Sequence, residues 1–326
     1  MNENKVCLQK NFGLLGVPFG LCARWPGCNR APSTLRAWGL LDQLEALNTR
    51  GINVKDFGDT SELTERGLKP SNPSLKYKAE FLKYSEQLIS GVGAIYEEGF
   101  TPLLVGGDHS ISIATIAAAV KFQRTRKPDA RTGVLWVDAH PDLCTPENSW
   151  SGNIHGMSVA HLLGQGDADL AGIGGFSGKI TPSEIVYLGL RDLDPPERKA
   201  IASLGIKAFS MKEIDRKGMG TIMDEAIAYL TSVADNFWLS FDLDVCDPEV
   251  TPGVGTPVRG GLTFREAHLV MEIVAESTRC CGIELVEYSP DRDTQGLTGK
   301  MAIGLLESAI GKTILNLRFE VRTCGL

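Results

Sequence analysis

The stretch that decides the fold is GVLWVDAHPD at residues 133–142. Its first five residues are apolar and rich in β-branched and aromatic side chains, which predicts a buried strand. Side chains alternate along a strand, so Asp138, His140 and Asp142 point the same way if the extended path continues. Two carboxylates and an imidazole that leave a buried strand together are costly to desolvate unless something pairs them. This arrangement favours a divalent cation as the partner.

Two further strand-like runs end in residues of the same kind. FWLSF at 237–241 leads into two aspartates, and PLLV at 102–105 leads into GGDHS. Because ligand sites in open α/β sheets form at strand ends, these side chains are predicted to converge. Such a set suits two ions roughly 3.5–4 Å apart that share carboxylates, and mixed carboxylate and imidazole favours manganese, iron, nickel or zinc. The predicted metal ligands are His109, Asp138, His140, Asp142, Asp242 and Asp244.

The composition is that of an ordinary soluble globular protein. The chain has 326 residues, 43% hydrophobic and 22% charged, with no evident linker or repeat, so we predict one domain over residues 1–326. A net charge of −7 argues against nucleic acid as a partner, and no apolar run approaches the roughly 18 residues of a membrane span. The N-terminal residues lack a signal pattern, so we expect a cytoplasmic protein, whose eight cysteines stay reduced.

Strand and helix patterns alternate along the whole chain, which predicts an α/β fold with a parallel sheet covered on both faces. The predicted strands span residues 12–19, 52–57, 102–105, 133–137, 184–190, 207–211, 237–241 and 282–287. The predicted helices span residues 32–47, 72–98, 110–122, 155–163, 214–230, 263–276 and 296–310, with one more beginning at residue 194.

Four motifs, in this order, resemble those of the ureohydrolases, the arginase and agmatinase family: GGDHS at 106–110, DAHPD at 138–142, SGNIHG at 151–156 and SFDLD at 240–244. The resemblance implies a three-layer αβα domain with one central, mostly parallel eight-stranded sheet and two Mn²⁺ per subunit, other divalent transition metals being possible. One ion would be held by His109, Asp138, Asp142 and Asp242. The other would be held by Asp138, His140, Asp242 and Asp244, with Asp138 and Asp242 bridging.

The resemblance also implies the chemistry. A bridging hydroxide, formed because bound metal lowers the pKa of water, would attack the guanidinium carbon of L-arginine and yield L-ornithine and urea. His155 would shuttle a proton to the leaving amine, and Glu287 would pair with the substrate guanidinium. Asp142 would join them as a catalytic residue. An ordinary helix-start histidine and a salt-bridged strand-end glutamate are the plain alternatives for His155 and Glu287.

Substrate contacts follow from the same resemblance. Asp192, Asp194 and Glu197 would hold the α-amino group, although helix capping alone also explains the last two. Further substrate contacts are Ser149, Ser151 and Asn153, the two serines matching positions near the α-carboxylate, and Thr256, near the guanidinium. One departure is Cys144, which stands where the family has an asparagine that helps to hold the α-carboxylate.

Two other functions remain open on the sequence. The chain could hydrolyse agmatine or another guanidino compound, or it could be a non-catalytic, ligand-binding family member, against which the complete set of metal ligands argues. Arg265 and Glu266 match a segment that forms ion pairs between subunits in the family, so a homotrimer or homohexamer is expected.

Overall fold

The computed structural model describes residues 10–63, 68–313 and 315, and within them eight strands form one all-parallel sheet. The sheet order is β2-β1-β3-β8-β7-β4-β5-β6, so the predicted eight-stranded sheet is confirmed. The strands are β1 (Lys10–Gly16), β2 (Ile52–Asp59), β3 (Thr101–Val105), β4 (Thr132–Val137), β5 (Ile185–Leu190), β6 (Lys207–Ser210), β7 (Asn236–Asp242) and β8 (Cys280–Val286).

Helices cover both faces of this sheet. Leu135 and Val137 of β4 lie in one core cluster, which includes residues of the C-terminal helices. Val134 and Trp136 lie in the other cluster, with residues of the helices that follow β2 and β3. The described helices are α1 (Ala31–Ala37), α2 (Leu40–Glu45), α3 (Lys78–Glu97), α4 (Ser112–Arg126), α5 (Ser158–Leu162), α6 (Ala168–Ala171), α7 (Pro195–Leu204), α8 (Met211–Lys217), α9 (Met219–Val233), α10 (Phe264–Glu276) and α11 (Leu297–Ile310). None of them is long and apolar enough to cross a membrane.

Two predicted helices are in fact pairs of helices. The segment 32–47 breaks at Gly39, which has a φ of 82°, and the segment 214–230 breaks at Gly218, with a φ of 81°. Both angles are left-handed, a conformation that glycine adopts without strain and that ends a helix. The apolar periodicity continues across both breaks, which is why it suggested single helices.

The path after β4 also differs from the prediction. The strand ends at Val137, and Asp142 has a φ of 47°, so the extended path does not continue to Asp142. A positive φ is uncommon outside glycine, although aspartate tolerates it better than most residues. The turn nevertheless carries the Asp142 carboxylate to His109, at 3.2 Å.

The register brings the ends of four central strands to one edge. Val137 of β4 pairs with Phe241 of β7, Phe241 pairs with Leu285 of β8, and Leu285 pairs with Val105 of β3. Parallel strands expose their carboxyl ends on the same side, where ligand sites form. The motif residues that follow these strands therefore meet in one place.

Candidate active site

His109 lies at the centre of the converging side chains and is 1% exposed. Its Nδ1 atom lies 3.0, 3.2 and 3.1 Å from carboxylate oxygens of Asp138, Asp142 and Asp242, yet it has no aligned hydrogen-bond partner. Its Nε2 atom lies 2.8 Å from the Ser240 hydroxyl. Since that hydroxyl donates to a glutamate, Nε2 must carry the proton, which leaves the Nδ1 lone pair facing three carboxylates. A divalent cation fits this position, because it would bind the nitrogen and all three carboxylates at once.

The predicted metal ligands form two groups that share Asp138. In each group the ligand atoms lie within 4.8 Å of one another, and the groups are His109, Asp138, Asp242 and Asp138, His140, Asp244. Burial, followed by the charge of neighbouring aspartates, raises the pKa of both Asp142 and Asp242 well above its usual range. Four buried carboxylates that repel one another are what two divalent ions would neutralise, so the donor set fits the predicted metals. Asp242 belongs to the first group only, and its bridging role stays a prediction.

Trp136 fixes the shared aspartate. Its indole Nε1 donates to Asp138 Oδ2 at 2.9 Å, and its ring stacks on His109 with centroids 4.0 Å apart. The other oxygen of Asp138 accepts the backbone N–H of His140 at 2.7 Å. Such outer contacts orient metal-binding side chains before any ion arrives.

The buried residue Glu284 is connected to His109 through the Ser240 hydroxyl. Glu284 of β8 accepts hydrogen bonds from the hydroxyls of Ser112 (2.5 Å), Thr115 (2.6 Å) and Ser240 (2.7 Å). Three hydroxyl donors satisfy a carboxylate that is fully buried. The chain Glu284–Ser240–His109 therefore sets the histidine tautomer described above.

Glu287 and His155 form a buried pair at the strand edge. Glu287 Oε1 lies 3.0 Å from His155 Nδ1 and accepts the backbone N–H of His109 at 2.9 Å. Burial lowers the pKa of His155, but the negative charge and hydrogen bond of Glu287 have the larger net effect. The pKa of His155 is raised to about 9. The second oxygen of Glu287 accepts a hydrogen bond from the thiol of Cys28, with sulfur and oxygen 3.4 Å apart.

Two adjoining cavities, of about 110 and 420 Å³, lie above these groups. Most of the predicted substrate contacts line one or both cavities, whereas His109, Asp138 and Glu287 are buried and are not among the lining residues. The predicted lining residues are Cys144, Ser149, Ser151, Asn153, His155, Asp192, Asp194, Glu197 and Thr256. The structure thus brings the predicted site residues together, and their individual roles stay predictions.

Glu197 connects the start of α7 to the loop after the DAHPD motif. It completes the predicted capping box with Asp194 and accepts the backbone N–H of Leu143 at 3.0 Å. Cys144, 8% exposed, lies beside this pair. Burial, then the charges of Glu197 and Asp194, raise the pKa of its thiol far above the ordinary range. The sulfur therefore stays a neutral thiol, a much weaker donor than the amide it replaces.

Several predicted substrate contacts already have partners within the chain. The Ser149 and Ser151 hydroxyls accept the backbone N–H groups of Gly152 and Asn153, at 3.0 and 3.2 Å. Thr256 Oγ1 donates to Asp244 Oδ2 at 2.9 Å. These contacts hold the loops that surround the cavity in one arrangement.

The sequence did not predict the residues at the cavity mouth. The larger cavity is also lined by Arg24, Trp25, Trp150 and Arg292. The guanidinium carbon of Arg24 lies 5.7 Å from the ring centroids of both Trp25 and Trp150, and that of Arg292 lies 5.2 Å from the Trp25 ring. No motif marks these residues, since they come from three loops far apart in the chain. The one feature of the sequence that could have indicated the cavity mouth is the position of Trp150, directly before the SGNIHG motif.

The all-parallel αβα sheet, with histidine and aspartate side chains at the ends of its central strands, agrees with the resemblance to the metal-dependent ureohydrolases. The comparison with known families agrees, because residues 10–311 match the model of the arginase family. The chain belongs to that family.

Proteins named as arginases match nearly the whole chain. An arginase from Bacillus caldovelox is 41% identical over 308 residues, which are 94% of this chain and 100% of that protein. Its solved structure superposes with a TM-score of 0.86 over the same shares of the two chains, at 40% identity. The structure of an Entamoeba histolytica arginase in complex with L-ornithine has a TM-score of 0.85, at 30% identity, and covers 94% of this chain and 100% of that one.

Proposed function

We propose that this protein is an arginase, which hydrolyses L-arginine to L-ornithine and urea with two Mn²⁺ ions per subunit. The observation that carries the proposal is the convergence of the six predicted ligands at one edge of the sheet, where four of them line the smaller cavity. The 40% identity with a solved arginase over 94% of the chain supports the choice of substrate, as does the L-ornithine bound to the Entamoeba histolytica relative.

In the proposed reaction the two ions would be held by the six aspartate and histidine side chains and would supply a water whose pKa is close to neutral. The oxygen of that water would become the carbonyl oxygen of urea, and the bond from the guanidinium carbon to the side-chain nitrogen would break. Glu287 would orient the planar guanidinium through its carboxylate. His155, whose pKa lies near 9, carries a proton at neutral pH and would give it to the departing amine, which becomes the side-chain amine of ornithine.

The acidic segment favours an amino acid over agmatine as substrate. Asp192, Asp194 and Glu197 line the larger cavity together, and an α-ammonium group there would be paired with their charges. Agmatine has no α-amino and no α-carboxylate group, so it would leave this segment unpaired. A second candidate substrate is another guanidino compound. The observation that favours it is the thiol of Cys144, which is a weak donor for an α-carboxylate.

Urea release decides between these substrates. Manganese-loaded protein is assayed with L-arginine, agmatine and other guanidino compounds, and we expect kcat/KM to be far highest for L-arginine. Much faster turnover of agmatine, or of another member of the panel, would refute the arginase proposal and leave only ureohydrolase chemistry. Binding of the panel without any urea release would instead support the non-catalytic alternative.

We further propose a homotrimer or homohexamer. Arg265 lies on the exposed surface of α10, where it pairs with Glu272 at 3.0 and 3.1 Å, and Glu266 caps the same helix through Thr263. Arg265 is exposed and Glu266 is half-buried, so another subunit could reach both. Light scattering at micromolar concentration tests the assembly, and a monomeric mass would refute it.

A cytoplasmic location completes the proposal. The six cysteines in the described part of the chain are free, which suits a reducing compartment. Cell fractionation with activity assays tests this location.

A further inference from the structure

The mouth of the larger cavity combines positive and negative groups. Asp192, Asp194 and Glu197 line it from one loop and the start of α7, and two arginines, Arg24 and Arg292, line it from other loops. A cavity built only to admit a cationic guanidino group would gain nothing from two guanidinium groups at its entrance, since like charges repel. The mixture instead matches a substrate head that carries both an ammonium and a carboxylate.

Arg24 is held in place without being neutralised. Its guanidinium carbon lies 5.7 Å from the rings of Trp25 and Trp150, contacts that position a cation at a modest gain in free energy. Among residues 10–63, 68–313 and 315, no carboxylate forms an ion pair with it. Its charge and its hydrogen-bond donors therefore remain available to an anion in the cavity.

The position of Arg24 matches the missing contact. Trp150, on which Arg24 stacks, stands between Ser149 and Ser151, and all three line the smaller cavity together with Cys144. By the resemblance to the family, an amide donor would hold the α-carboxylate on this side of the site, and this chain has the thiol of Cys144 there instead. A guanidinium binds a carboxylate through two parallel hydrogen bonds and is the stronger partner of the two.

We propose that Arg24 binds the α-carboxylate of the amino-acid substrate and so supplies the contact that Cys144 does not make. This inference rests on the proposed function and deepens it, because it makes Arg24 a specificity-determining residue for substrates with a carboxylate. Trp25 and Trp150 position the guanidinium, and the acidic segment holds the α-ammonium group of the same substrate.

The test uses two diamines that differ in one group. L-Ornithine has an α-carboxylate and putrescine lacks it, and their binding to manganese-loaded protein is measured by calorimetry without any turnover. In Arg24→Met we expect the affinity for L-ornithine to fall roughly five- to tenfold, a loss between those of an exposed and a desolvated ion pair, with the affinity for putrescine unchanged. Added salt should weaken L-ornithine binding more in the wild type than in the variant.

A matched control is Arg124→Met. Arg124 is exposed, its guanidinium carbon lies 5.2 Å from the Phe176 ring centroid, and it does not line either cavity. This substitution should change neither affinity. In Arg24→Met/Cys144→Asn we expect partial recovery of L-ornithine binding, because the amide restores a donor. Equal L-ornithine affinity in wild type and Arg24→Met, or an equal loss for both diamines, would overturn the proposal. Failure of the arginase proposal is read separately, from an absence of urea release from L-arginine by the wild type.

Discussion

Replacing Ser240 by alanine should weaken manganese binding, although Ser240 is not itself a predicted metal ligand. The substitution removes the 2.8 Å contact to His109 Nε2 and the 2.7 Å hydrogen bond to Glu284. His109 then loses the acceptor that fixes its tautomer, so its Nδ1 lone pair no longer faces the three carboxylates in every molecule. Loss of such an outer partner typically costs about 10- to 100-fold in metal affinity, or roughly 1.4–2.7 kcal/mol.

The matched control is Thr115→Val. Thr115 donates to the other oxygen of Glu284 at 2.6 Å but has no hydrogen bond to His109. The Thr115→Val substitution should therefore lower the free energy of unfolding by roughly 1–3 kcal/mol, the cost of a buried hydrogen bond left unmade. Manganese affinity should stay close to that of the wild type.

Manganese affinity is measured by the electron paramagnetic resonance signal of free Mn²⁺, and stability by denaturation of the metal-free protein. A Ser240→Ala variant that binds manganese like the wild type would refute the role of the Glu284–Ser240–His109 chain. Equal losses of affinity in Ser240→Ala and Thr115→Val would assign the effect to general destabilisation instead.

Three further outcomes are expected. Metal analysis after manganese loading should give about two ions per chain, with activity abolished in Asp138→Ala and Asp242→Ala, whereas full activity in either variant would contradict the two-metal site. Cys144→Asn should raise kcat/KM for L-arginine, chiefly by lowering KM, because an amide donor to a carboxylate is worth roughly 1.5–3 kcal/mol; unchanged kinetics would contradict this. In the metal-free protein the stabilisation from the protonated His155–Glu287 pair is complete below about pH 6.5, the ordinary pKa of histidine, and is lost as the pH rises through about 9. Thermal denaturation of Glu287→Gln should accordingly show a smaller decline over this range, and an equal decline would contradict the assignment.

Much of this architecture could be predicted because buried parallel strands are short apolar runs and because metal ligands follow them directly. The strand before Asp138 and the strand before Asp242 both carry that signal in a handful of adjacent residues. The helix beginning at Asp194 was equally clear, since a capping box needs only four positions.

What escaped prediction depends on contacts between distant parts of the chain. Glu284 lies inside an apolar strand and is satisfied by hydroxyls from α4 and β7, and the thiol of Cys28 reaches Glu287 across 259 positions. Neither contact has a local signature. The prediction of an extended path to Asp142 was wrong for a different reason, because the alternation of side chains along a strand does not indicate where the strand ends.

The sheet order has a consequence for how the protein is made. β8 is the last strand in the described part of the chain, yet it lies between β3 and β7 in the middle of the sheet. Until the ribosome has released it, the earlier strands can form only two separate half-sheets, each with an open edge of unpaired backbone groups. Glu284 and Glu287 arrive with the same final segment, so the support beneath His109 is completed after translation of nearly the whole chain. A nascent chain that stalls before residue 280 therefore has unpaired strand edges, which favour aggregation, and lacks the residues that support the predicted metal site.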